Sequence, residues 1–113
     1  MKKILKNFLN SLNGLKVSLK EHSFILEIIG GFVLIPYLII SEINIFFKII
    51  IGTIYFLLLA FELLNTSIEK LSDKISKEYD PDIKKIKDIS SASVFIVLIL
   101  LITSLILILF FIN

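Results

Sequence analysis

The sequence predicts an all-α membrane protein: an N-terminal amphipathic surface helix followed by three transmembrane helices, in one domain over residues 1–113. Three observations carry this. Ile89 to Asn113 contains no charged residue, a run long enough to cross a hydrocarbon core of about 30 Å as a helix. Two further apolar runs precede it, separated by a short polar turn. Hydrophobic residues make up 57% of the chain, more than a soluble domain usually carries.

Residues 1–20 hold five lysines, with Ile4, Phe8, Leu12, Leu15 and Leu19 recurring at steps of three or four. That spacing gives a basic amphipathic helix suited to an anionic membrane surface. A signal peptide would gather its apolar residues into one block before a small-residue cleavage site. The segment is therefore expected to stay on the mature protein. The first span is placed at 24–40. Its uncharged part, Ile28 to Ile40, is short for a crossing, so Glu27 is expected near an interface or facing protein. Gly30 and Gly31 permit close helix contact, and Pro36 invites a kink near the far end. No Gly-Lys-Ser follows the glycine pair, which favours packing over phosphate binding.

After a short turn at 41–48, a second span at 45–64 runs on as a charged helix to Ser76 or Lys77. Glu78 to Asp82 reads as the break, because Pro81 lacks a donor and biases Asp80 away from helical dihedrals. Residues 65–88 thus form a helix extension and loop, and 89–112 the third span. Five lysines precede the first span, one lies between the first and second, and six fall between Lys70 and Lys87. The positive-inside rule then puts the N-terminus and the 65–88 region in the cytoplasm, and the 41–48 turn and Asn113 outside.

The absence of cysteine excludes disulfides and thiolate metal sites. With a single histidine, a zinc site is not expected either. A net charge of +2, with lysines in two blocks and no arginine, argues against a nucleic-acid partner.

Chemistry concentrates between Glu62 and Asp88. At about 100° per residue, Glu62, Asn65, Glu69 and Asp73 share one helical face. Glu62 ends an apolar run, where a carboxylate costs up to about 2.5–3.5 kcal/mol on insertion scales. It could be hydrogen-bonded across a helix interface, serve as a proton or cation relay, or act in catalysis. His22 reads as an interface residue. The carboxylates suit a hard cation such as Mg²⁺, which keeps waters and substrate phosphates among its ligands. Lys84, Lys85 and Lys87 could neutralise phosphate, which suggests nucleotide-dependent phosphoryl transfer; a solvated loop is the plain alternative. Three spans cannot easily shield both Glu27 and Glu62, so a homo-oligomer is expected in which a neighbouring chain covers them.

The stretch Glu62-Leu63-Leu64-Asn65-Thr66-Ser67-Ile68-Glu69, followed by Asp73, Ser76, Glu78-Tyr79, Lys87-Asp88 and Ser91-Ala92, resembles the small bacterial integral-membrane diacylglycerol kinases and their relatives the undecaprenol kinases. The helix layout matches as well, and the resemblance covers essentially the whole chain. It implies an ATP-dependent lipid kinase of the bacterial cytoplasmic (inner) membrane, multi-pass and homotrimeric, with sites shared between subunits. Glu62 would be the general base that takes the lipid hydroxyl proton, and Asn65 would orient the site. Glu69 and Glu21 would bind the Mg²⁺ that bridges the ATP phosphates. Lys3, Asn10, Glu78, Tyr79, Asp80, Lys87 and Asp88 would border or contact the nucleotide, and Glu27 and Ser91 would join Glu62 at the lipid substrate.

Some positions depart from the family pattern. Ile25 stands where an arginine follows the Glu21-His22-Ser23-Phe24 motif, and the run from Gly14 to Glu21 is one residue short. Lys3 offers a point charge rather than a planar fork, Asn10 replaces an aromatic residue, and Ser72 an apolar one. Glu27 and Ser91-Ala92 resemble the diacylglycerol branch and Phe8 the undecaprenol branch. The leading expectation is phosphorylation of diacylglycerol to phosphatidic acid, with undecaprenol as the alternative acceptor. A non-catalytic membrane interaction subunit or a small ion-coupled carrier is the reading of another class.

Overall fold

The computed structural model describes residues 1–112; the expected placement of Asn113 lies outside the described residues. Four α-helices follow one another: α1 (Lys2–Ser18), α2 (His22–Ile40), α3 (Ile45–Ile75) and α4 (Pro81–Leu107), the last continuing as a π-helical segment, Ile108–Ile112. There are no strands among the described residues. α2, α3 and α4 are long and apolar enough to cross a membrane, so the chain is an all-α, multi-pass membrane protein.

Local chemistry sets the boundaries. Asn44 starts α3 by accepting from the Phe46 N–H through Oδ1 at 2.8 Å, satisfying one of the free donors of a helix start. Ser41 ends α2, its hydroxyl donating to the Leu38 carbonyl at 3.1 Å. The break between α3 and α4 falls at Ser76–Asp80, slightly earlier than the 78–82 expected. Pro81 and Asp82 belong to α4 instead. The reason is that proline at the first helical position forfeits only an N–H that would have no partner anyway. Asp80 caps the helix, its Oδ1 accepting from Asp82 N at 2.9 Å and Ile83 N at 3.3 Å.

α3 is the central helix, packed most extensively on α4 and less on α2. At 31 residues it measures about 46 Å, so its C-terminal turns project beyond a hydrocarbon core of about 30 Å. Leu38, Ile51, Tyr55, Leu58, Val97 and Leu101 pack between the three helices. Phe32 and Ile40, by contrast, are almost fully exposed, as apolar side chains can be where lipid is the solvent. α1 is amphipathic but leaves Ile4, Phe8 and Leu12 exposed. It touches the rest through its C-terminal half, where Ser18 is buried.

Candidate functional site

The start of α2, the middle of α3 and α4 enclose a cleft of about 440 Å³. Glu21, Glu27, Glu62, Asn65, Glu69 and Ser91 all line it. Five residues from three helices, with Glu21 just before α2, therefore meet in one place across seventy positions of sequence. Helical spacing explains the α3 contribution, because residues three and four apart stack along one face.

Glu62 is only 6% exposed and Asn65 8%. Glu27 reaches across from α2 to within hydrogen-bonding range of the Glu62 carboxyl. One turn further along α3, the Asn65 amide donates through Nδ2 to Glu69 Oε1 at 3.2 Å. Asn65 Oδ1, buried in the same cleft, has no protein partner, whereas buried polar atoms are ordinarily paired. At the rim, Glu21 Oε1 is bound by the Lys70 ammonium at 2.8 Å. Val94, Phe95 and Leu98 of α4 add an apolar wall to the same cleft. The lining thus combines carboxylates with apolar side chains, which suits an amphiphile.

A second cleft, of about 270 Å³, surrounds the α3–α4 break and is lined by Asp73, Glu78, Tyr79, Asp80, Lys84 and Lys87 among others. Asp73 lies one turn beyond Glu69 on α3, so the two clefts share a helix face. Lys87 donates to Asp73, tying α4 to α3, while Lys84 pairs with Asp88 at 2.7 Å within α4. Both lysines are accessible and held by exposed carboxylates, which anionic oxygens of a ligand could replace.

Lys3 and Asn10 reach neither cleft and stand exposed on α1. What α1 does build is a third hollow, of about 530 Å³, between its Ser11, Gly14 and Ser18 and the Leu63, Ser67 and Lys70 of α3. His22, read from sequence as an interface residue, lines the acidic cleft with Ser23 and Thr66, which sequence reasoning did not single out. Among the described residues no three of His, Cys, Asp and Glu converge as a preformed metal centre.

Residues 9–109 match the family described as prokaryotic diacylglycerol kinase. The chain belongs to that family. Membership in the diacylglycerol kinase family supports a lipid kinase that crosses the membrane several times. The matched region includes every residue of both clefts and leaves out Lys3. No match was found among curated proteins.

Proposed function

We propose that the chain transfers the γ-phosphoryl group of ATP to diacylglycerol, giving phosphatidic acid and ADP at the cytoplasmic face of the membrane. The observation that carries this reading is the position of Glu62. It is a buried carboxylate where an acidic cleft meets an apolar wall, which is where the hydroxyl of a membrane lipid would arrive.

In the proposed reaction, Glu62 accepts the proton from the lipid hydroxyl as its oxygen attacks the γ-phosphorus. The new O–P bond forms while the bond to the β-phosphate oxygen breaks, and ADP leaves. Glu27 and Ser91 hold the acceptor end of the lipid, and Asn65 fixes the rotamer of Glu69. Lys87, Glu78, Tyr79 and Asp80 border the nucleotide around the second cleft, and Asp88, which lies outside that lining and pairs with Lys84, contacts it from beside the cleft. The donor set fits a hard divalent cation: Glu21 and Glu69 offer oxygen ligands on one cleft, and substrate phosphates and waters would complete the shell. Mg²⁺ held there would neutralise charge on the phosphates. The family resemblance supports a homotrimer whose subunits share their sites. Lysine placement supports a cytoplasmic N-terminus.

The test is a reconstituted assay with Mg-ATP and either diacylglycerol or undecaprenol. Wild type phosphorylates diacylglycerol in preference, and Glu62→Gln loses about 10²- to 10⁴-fold in kcat, the usual worth of a general base. Preference for undecaprenol would move the acceptor to that lipid. Turnover of neither, or full activity of the variant, would overturn the reading.

A further inference from the structure

One interhelical hydrogen bond lies deeper in the bundle than the acidic cleft. Tyr55, 6% exposed, donates through its hydroxyl to the backbone carbonyl of Glu27 at 2.9 Å. Packing alone would be served by phenylalanine, since a phenol in an apolar setting adds a donor that must find a partner. The partner here is a carbonyl already within α2, and its second lone pair is free to accept.

Access to that carbonyl depends on Gly31, one turn along. A Cβ built on Gly31 would collide with the Tyr55 hydroxyl and ring. The hydroxyl therefore occupies the space a side chain would fill. Gly30, its neighbour, meets nothing at the same position. Only one glycine of the pair is thus required by contact.

Helical geometry links this bond to the cleft. Tyr55 and Glu62 are seven residues apart on α3, two turns on nearly the same face, and Glu27 and Gly31 are one turn apart on α2. The same two faces that bring the Glu27 and Glu62 carboxyls together are joined through the Glu27 backbone by Tyr55. We propose that Tyr55 is a positioning residue: with Gly31 as its cradle, it fixes where the Glu27 carboxyl stands opposite Glu62. Its consequence for lipid binding rests on the kinase reading above.

The test joins a chemical readout to a kinetic one, using the full-length protein in bilayers. A lipophilic carbodiimide labels carboxyls at apolar depth, and the rate at each glutamate is followed by peptide mass. In Tyr55→Phe, which keeps the ring, Glu27 is labelled roughly three- to tenfold faster, the factor an interhelical hydrogen bond of this kind is worth, while Glu21 is unchanged. Gly31→Ala, which removes the space for the hydroxyl, gives the same shift. In lipid kinase assays Tyr55→Phe raises KM for the lipid and not for Mg-ATP. The loss disappears in a Glu27→Gln background, because coupled residues are not additive. Unchanged labelling of Glu27 in Tyr55→Phe, or fully additive losses, overturns the proposal. Labelling requires no turnover, so it decides the role of Tyr55 even where neither lipid is phosphorylated, a result that would sink the kinase reading alone.

Discussion

Asn65 donates its amide to Glu69 Oε1 at 3.2 Å, yet its own Oδ1 is buried without a partner. The side chain is thus half-satisfied, held toward Glu69 on one side and free to accept on the other. Asn65→Ala removes the brace and leaves Glu69 to rotate. Loss of such an outer partner typically costs about 10- to 100-fold in metal affinity or activity. The expected outcome is a drop of that size in kcat with a higher Mg²⁺ requirement, read from metal titrations of the kinase rate. Glu69→Gln should show the same metal dependence more strongly. Metal titration curves that superimpose on wild type for both variants would remove Glu69 from the ligand set.

Lys70 holds Glu21. The pair is formed at 2.8 Å, with side chains 56% and 35% exposed, so solvent screens it and it adds little to stability. Lys70→Met should leave the unfolding midpoint nearly unchanged. Because the same Glu21 oxygen is needed for the cation in the proposed site, freeing it should lower the Mg²⁺ concentration at half-maximal rate, by up to about fivefold from the energy of one exposed pair. A rise in that concentration would mean that Lys70 helps to hold the phosphates and does not compete with the metal.

Ile51 is 1% exposed and central to the helix packing. In a soluble core, truncating a side chain of this size to alanine costs about 2–5 kcal/mol, part of it from lost transfer out of water. Lipid is as apolar as isoleucine, so only the packing part remains. Ile51→Ala is therefore expected to destabilise by about 1–2 kcal/mol in reversible unfolding from mixed micelles, with the lipid and nucleotide KM unchanged.

Periodicity was enough to place the helices. Apolar runs of membrane-crossing length and five lysines on an amphipathic segment each have one inexpensive helical solution. The stripe from Glu62 to Asp73 was equally legible, since side chains three and four apart on a helix must share a face. The crossing of α2 on α3 was not, because nothing local in Glu27 says that it faces Glu62. Tyr55 was hidden for a related reason: its hydroxyl has meaning only beside Gly31, and a tyrosine within an apolar run reads as one more hydrophobic residue. The resemblance assigns Lys3, Asn10 and Asp88 to the nucleotide, whereas the fold leaves all three exposed and outside the lining of both clefts. The break falls at 76–80 and not at 78–82 because proline, which can end a helix, is equally suited to a helix start.

Asp80 separates two roles that sequence alone merges. It lines the second cleft, where a nucleotide-binding role was expected, but its Oδ1 already accepts from Asp82 N and Ile83 N at the start of α4. Asparagine caps a helix about as well as aspartate, whereas alanine costs about 0.5–2 kcal/mol. If capping is the main role, Asp80→Asn should retain nearly wild-type KM for ATP. Asp80→Ala should fray the first turn of α4, displace Lys84 and Lys87, and raise KM for ATP several-fold, in step with faster amide hydrogen exchange at Asp82 and Ile83. If Asp80 instead meets the nucleotide through its charge, Asn and Ala should impair binding equally, and exchange in the Asn variant should stay as slow as in wild type. Measuring KM and exchange on the same two variants tells these outcomes apart.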